Sequence, residues 1–235
     1  MLSQHPSISI VDISHEIPCF DIVQAAFVFR HAWRSFPRGT IHLLSVSDQP
    51  GTAERMLITQ AEGHYVVAPD NGLLALIFDK VPSPIYALPL SEQSRAPVKD
   101  VFVEALNILV DQRPLDSLAE PAGEIVKRFT LQPVIGPARI QGTIVYQDRY
   151  GNLITNISKS LFLQVGQERS FRLFFKRHDP IHSLHTHYRE APVGEPLCLF
   201  NAGGMLEIAI NMGDASRLLG LGVDDPVQID FEADE

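Results

Sequence analysis

The sequence predicts an α/β first half followed by a strand-dominated second half, and three observations lead there. Short β-rich runs first alternate with helical segments. Between about Pro114 and Arg139 this periodicity fades into a Pro- and Glu-containing stretch. Beyond it, nearly every apolar run has the length of a strand. The change of character sets a domain boundary near Gln132, dividing the chain into 1–131 and 132–235.

Taken in order, Ile8 to Val11 reads as a strand. Asp21 is placed to cap a helix through Ala25, Ala26, Phe27 and Phe29 to about Trp33, because its carboxylate can accept the unpaired N–H groups of a first turn. Thr40 to Val46 is a continuous apolar run, the mark of a strand covered on both faces in a parallel sheet. Met56 to Gln60 and Tyr65 to Ala68 follow as strands, and the turn Pro69-Asp70-Asn71-Gly72 leads into Leu73 to Asp79. Asp100 is expected to cap an amphipathic helix carrying Val101, Phe102, Ala105, Leu106, Leu109 and Val110 on one side. In the second half, strands are expected at Ala138 to Tyr146, Leu153 to Ile157, Phe171 to Phe175, Pro196 to Phe200 and Val227 to Phe231. One short helix, Gly213 to Gly220, is closed by its glycine.

Composition narrows the function. A chain of 235 residues with 45% apolar residues can bury a sizeable core. A formal charge of −9 and the lack of any Lys/Arg-dense run argue against a nucleic-acid partner, whose phosphates this field repels. No apolar run approaches a membrane span, and the start Met1-Leu2-Ser3-Gln4-His5-Pro6 has neither the basic flank nor the apolar stretch of a signal peptide. No membrane partner and a cytoplasmic location are therefore expected. Cys19 and Cys198, far apart and each without a second Cys nearby, suit neither a zinc knuckle nor a disulfide framework and read as buried small hydrophobes.

The stretch Asp148-Arg149-Tyr150-Gly151-Asn152-Leu153-Ile154-Thr155-Asn156-Ile157 carries the strongest chemical signal. An aromatic face can stack on a base, an Asn amide can donate to and accept from a purine edge, and an ionised Asp can hold an ammonium. A strand with a turn at Tyr150-Gly151-Asn152 accounts for the same residues. Asp48 and Arg55 come after the apolar run 40–46, where parallel strands present ligands, and the Pro50-Gly51 between them allows the loop to fold back so that the two could meet. The alternative is a surface ion pair. Asp70-Asn71-Gly72 could present an amide to a ligand or simply make a tight turn. His178, Asp179, His182, His185 and His187 could hold a metal only if His185 and His187 shared a strand face. With Arg177, Tyr188 and Arg189 around them, a solvated loop is the better reading. Within Phe200 to Gly213, the glycine pair Gly203-Gly204 marks either a close approach to a ligand or a bulge.

With these residues in view, the chain resembles the S-adenosylmethionine (SAM) hydroxide adenosyltransferase family, the SAM hydrolases related to fluorinase and chlorinase. The segments IVDISHEIP, DIVQAAFVF, FPRGTIHLLSV, APDNGLL, DRYGNLITNI and LEIAINMG occur in the family's order across nearly the whole length. The resemblance implies an α/β N-terminal domain followed by a mainly antiparallel β-barrel C-terminal domain. It also implies a homotrimer with sites between subunits, and hydrolysis of SAM at C5′ to adenosine and L-methionine without a cofactor or metal. By the same resemblance, Asp48 and Arg55 activate the water, Asp148 holds the methionine ammonium, Tyr150 stacks on adenine and Asn152 bonds its edge. Asn211 and Met212 line the adenine pocket, Phe20 packs on the ribose, and Asn71 lies in the family's PDNG turn without an assigned contact.

The chain also departs from the family. Its loop places Gln49 between Asp48 and Pro50-Gly51. The His ahead of the helix is absent from Ala96-Pro97-Val98-Lys99-Asp100, and neither His42 nor His64 is an obvious substitute. The Thr-Asp-Phe-Gly opening strand has no counterpart, as expected if Met1 is internal to a longer natural chain. Ala202 and Gly203 stand where halogenating relatives have Ser or Arg. The absent His and opening strand admit a second reading, a non-catalytic adenosine or SAM binder, whereas Ala202 and Gly203 argue against a third, a SAM-dependent halogenase.

Overall fold

The computed structural model describes residues 6–49, 51–117, 119–176 and 178–232. Met1, Pro50 of the Asp48 loop and Arg177 of the histidine-rich segment lie outside the described residues. The chain divides into two compact units, Met1–Thr130 and Leu131–Glu235.

The first unit contains α1 (Ile22–Ala32), β1 (Ile41–Leu43), β2 (Arg55–Ala61), β3 (His64–Pro69), α2 (Leu73–Ile77), β4 (Ile85–Pro89), α3 (Pro97–Val110) and β5 (Glu120–Pro121). Its sheet runs β1-β3-β2-β4-β5, with β1 parallel to β3 and the other pairs antiparallel. β2 and β3 form a hairpin across Glu62-Gly63, whose φ values of 50° and 87° match the right-handed twist of the flanking strands. Alternation along β2 feeds two cores. Leu57 packs with Ala25, Phe29, Trp33 and Leu74 beneath α1 and α2, whereas Met56 and Ile58 pack with Val101, Ala105 and Leu109 of α3. The sheet is thus covered by helices on both faces, as continuous apolar strands require.

Four expectations are corrected here. Residues 8–11 form no strand: Ile10 and Val11 are exposed, and the segment has no place in the sheet, so its main chain lacks the ladder that makes an apolar run a strand. The run 40–46 contributes only three strand residues, at a sheet edge with one neighbour, and Leu43 faces solvent. Asp100 is not the cap of α3, which starts at Pro97 after Ala96; the fixed φ of proline suits the first helical position, and Asp100 occupies the first turn, accepting from the Ser94 hydroxyl. Cys19 is exposed, unlike Cys198. Asp21 does cap α1, accepting from Gln24 N–H at 2.9 Å.

The second unit contains β6 (Val134–Gly136), β7 (Arg139–Gln147), β8 (Leu153–Ser158), α4 (Lys159–Gly166), β9 (Phe171–Phe175), β10 (Leu184–His185), β11 (Pro196–Phe200), β12 (Met205–Ile210), α5 (Ala215–Leu219) and β13 (Pro226–Phe231). These strands order as β10-β11-β12-β8-β7-β13-β9, with β6 on β7, and all pairs but β10–β11 are antiparallel. Register shifts at Ile144/Tyr146 and Met205/Glu207 bend the sheet around Ile140, Leu153, Ile157, Phe175, Leu206, Ile208 and Ile229. The result is a curled half-barrel. α5 is capped by Asp214 and ends at Gly220 in the left-handed region, as its glycine signals. α4, capped by Ser158, carried no sequence signal strong enough to separate it from the strands around it.

β12 divides its residues between two faces. Leu206, Ile208 and Ile210 join the main core. The alternate residues Glu207 and Ala209 point to the opposite face, where Ala209 packs with Ala191, Leu197 and Leu199.

Candidate functional site

In the first unit, Phe20 and Asp48 line one cleft of about 210 Å³, together with Ile17, Pro18, Cys19 and residues 45–49. Phe20 holds φ at 70° and is 61% exposed, so its ring is presented to solvent by backbone geometry that a bulky residue rarely adopts. The Asp48 carboxylate accepts from the Ser45 hydroxyl. The loop behind it is tied down by Asn71. The Asn71 amide donates to the carbonyls of Val46 and Ser47, both at 2.9 Å, while its oxygen accepts from Leu73 N–H at the start of α2. Asn71, left without a contact by sequence, is therefore the strut that sets the backbone immediately before Asp48.

Arg55 does not meet Asp48. Its ion pair is with Asp70, Nε at 2.8 Å and Nη2 at 2.7 Å from Oδ2, and it also donates to the carbonyls of Ala122 (2.9 Å) and Glu124 (2.6 Å). Asp70 turns its other oxygen to Val126 N–H at 2.8 Å. The sequence distance between Asp48 and Arg55 allowed a pairing, but a guanidinium takes the nearest well-oriented carboxylate, and Asp70 N–H bonded to the Arg55 carbonyl brings that carboxylate alongside. Of the five N–H groups of a guanidinium, these contacts leave one for anything else. Packing of Arg128 against Gly72, where an added Cβ would lie 2.1 Å from its Cγ, completes the attachment of residues 122–128 to the PDNG turn.

His42 and His64 are both buried, with ring nitrogens 3.2 Å apart, inside a box of Phe29, Trp33 and Phe36. Burial, and then the neighbouring His64, push His42 down to about 4. They are core histidines.

In the second unit, Asp148 organises its own turn. One oxygen accepts from Tyr150 N–H and Asn152 N–H, and the other from the Asn152 amide, all at 2.9 Å. Gly151, φ 82°, abuts Asp214, where a Cβ would lie 2.1 Å from the carboxylate, and its carbonyl accepts from Ser216 N–H. The turn is thereby joined to the segment after β12, which carries Asn211 and Met212. Asn211 is buried and donates to the Ala191 carbonyl at 2.8 Å. Tyr150 is 81% exposed and Met212 87%, two apolar faces left open beside this turn.

The same region contains residues that motif reading passed over. Glu207 is 4% exposed and accepts from the Tyr188 hydroxyl at 2.6 Å. Burial raises its pKa and the charge of Asp148 adds to this, against the hydrogen bonds from Tyr188 and Asn201. Tyr188 is also shifted up, first by burial and then by Glu207. The available signal was an acid within an otherwise apolar strand, four residues before Asn211 and so on its face.

The histidine-rich segment does not assemble. His178 bonds the Leu219 carbonyl and His185 the Cys198 carbonyl, and among the described residues there is no group of three or more His, Cys, Asp or Glu suited to a metal ion. At the glycine pair, the Asn201 oxygen accepts from Gly203 and Met205 N–H, which makes the β11–β12 turn. Among the described residues, no helix is long and apolar enough to cross a membrane.

Comparison with known proteins adds findings of three kinds. Residues 1–119 match the family model described as SAM hydroxide adenosyltransferase N-terminal domain, and residues 142–228 match the corresponding C-terminal domain. The (R)-S-adenosyl-L-methionine hydrolase of Thermus thermophilus is 31% identical, aligned over 95% of this chain and 89% of its own. The hydrolase of the same name from Methanocaldococcus jannaschii is 26% identical over 94% and 82%. Among solved structures, an uncharacterized conserved protein from Thermotoga maritima superposes with a TM-score of 0.86 at 26% identity, covering 97% of this chain and 91% of that one.

Proposed function

Because the chain belongs to the SAM hydroxide adenosyltransferase family, we propose that it hydrolyses SAM to adenosine and L-methionine, with water attacking C5′ and methionine leaving as a neutral thioether. The observation that carries this reading is the cleft in which Asp48 stands beside Phe20 on a loop braced by Asn71. Asp48 takes the proton of the water while Phe20 packs on the ribose. Arg55, with its remaining N–H, orients the water. Asp148 holds the substrate ammonium, Tyr150 stacks on adenine, and Asn152, Asn211 and the Met212 main chain read its edge. Asn71 acts through the loop rather than by contact.

The chemistry suits a site this sparse. A thioether leaves without a proton, so no general acid is needed, and a sulfonium meeting an incipient hydroxide loses charge on the way to the transition state, which a dry pocket favours. Alignment and proton removal remain for the protein to supply, and neither requires a cofactor. We extend the reading to a closed C-terminal barrel and to the homotrimer that the family resemblance implies.

The test is incubation with SAM in halide-free buffer, following adenosine and methionine by chromatography, with Asp48→Ala as control. Products lost in the variant support hydrolysis. The second reading, a non-catalytic binder, is favoured by the engagement of Arg55 with Asp70 and two carbonyls; SAM bound but intact over hours would establish it. Loss of SAM only with added chloride or fluoride would establish a halogenase instead.

A further inference from the structure

Glu207 is a buried acid in a sheet region where its neighbours are amides, hydroxyls and apolar side chains. In the β8–β12 register, Glu207 stands opposite Ile154 and Ile208 opposite Leu153. Continuing that register puts Ala209 opposite Asn152. Directly opposed residues share a face, and so do alternate residues of one strand, so Asn152, Ile154, Glu207 and Ala209 all project to the same side. Asn152 and Glu207 are then diagonal neighbours, at roughly 7–8 Å between Cα atoms. Asn211, one residue past the strand, continues the alternation, and its amide bonds Ala191, which packs on that face with Ala209. The side of the half-barrel carrying Glu207 is therefore the side carrying two of the proposed substrate contacts.

Tyr188 joins this arrangement through its hydroxyl. Its hydroxyl donates to Glu207 at 2.6 Å while the residue remains 42% exposed, so it carries the carboxylate's hydrogen bonding toward the surface. After burial, the charge of Asp148 adds to the upward pKa shift of both Glu207 and Tyr188. Asp148 has three of its lone-pair positions filled by its own turn. A cation approaching it meets a carboxylate already partly satisfied. Glu207 supplies a second carboxylate on the face that carries Asn152.

We propose that Glu207, held by Tyr188 on the face it shares with Asn152 and Asn211, is a positioning residue that gives the site its preference for a cationic nucleoside substrate over the neutral nucleoside product. This rests on the proposed function, which supplies the substrate, and goes beyond it by assigning the charge selectivity to a residue that does not touch the substrate. The consequence is directional: a site tuned to positive charge holds SAM and releases adenosine, since both occupy the same adenine pocket but only one carries ammonium and sulfonium groups.

The experiment is equilibrium binding of SAM and of adenosine by calorimetry, in an Asp48→Ala background so that SAM survives. Glu207→Gln keeps the shape and the acceptor for Tyr188 but removes the charge. The expected result is a loss of SAM affinity of about ten-fold, the size of a partly screened charge pair, with adenosine affinity within about two-fold. Tyr188→Phe should shift the same ratio in the same direction by a smaller factor, and it stands in if Glu207→Gln does not fold. An unchanged ratio, or equal weakening of both ligands, overturns the proposal. Absence of SAM binding before any change at Glu207 would instead overturn the proposed function, so the two failures are distinct.

Discussion

The two units hold their site residues in opposite ways. Around Asp148, the hydrogen bonds that the carboxylate accepts join residues no more than four apart, so the core of the turn builds itself, and the Ser216 N–H on the Gly151 carbonyl then docks it. Around Asp48 and Arg55, the shaping contacts come from far away in sequence. Asn71 braces residues 46 and 47 from about 24 positions on, and Arg55 reaches Ala122 and Glu124 across nearly 70. A local turn keeps its geometry when its surroundings change; a long-range lattice concentrates many constraints on a few polar groups. The same carboxylate chemistry is thus robust in one unit and dependent on tertiary packing in the other.

The largest effect expected is at Asp48. Asp48→Ala should lower adenosine formation by about 10²–10⁴-fold, the contribution of a positioned base, while thermal stability stays within about 0.5 kcal/mol because its hydrogen bond is exposed. A comparable fall in stability would mean that Asp48 is part of the lattice rather than its cargo.

Next is the acid response of the first unit. His42 is held down to about 4 by burial, so the unfolded chain binds its proton first as the pH falls. Its contribution to stability is complete above about 6.5 and is lost as the pH drops from there to about 4, amounting to on the order of 3 kcal/mol. Denaturant unfolding at several pH values should show this slope, and His42→Phe should flatten it.

The comparison itself is tested by two alanine substitutions. Asp70→Ala strands a half-buried guanidinium and releases Val126 N–H, and should cost about 2–4 kcal/mol, discounted for the solvent that reaches Arg55. Asp148→Ala, which removes three hydrogen bonds from an open turn, should cost about 1–2 kcal/mol. Chemical denaturation that reverses this order would remove the distinction between the units.

Smallest is Tyr150→Ala. At 81% exposure the ring contributes little to the fold, so unfolding should be unchanged, whereas loss of a stacking face should raise KM for SAM by about ten-fold. An unchanged KM would leave Tyr150 as a turn residue only.

The sequence by itself determined the α/β-then-β order, most strands of the second unit, the caps at Asp21 and Gly220, and the family, because these stem from periodicity, from capping chemistry within a few residues and from motifs in order. The Asp148 turn was legible for the same reason: its donors and acceptors are sequence neighbours. Tertiary structure decided the rest. It left residues 8–11 outside the sheet and trimmed the run 40–46 to a three-residue edge strand, since a strand exists only where another backbone answers its hydrogen bonds. It chose Asp70 over Asp48 as the partner of Arg55, turned Asn71 from a turn former into a strut, and brought the Tyr188 hydroxyl onto the buried Glu207. These outcomes depend on which groups meet across long loops and neighbouring strands, a matter of three-dimensional proximity that spacing along the chain does not encode.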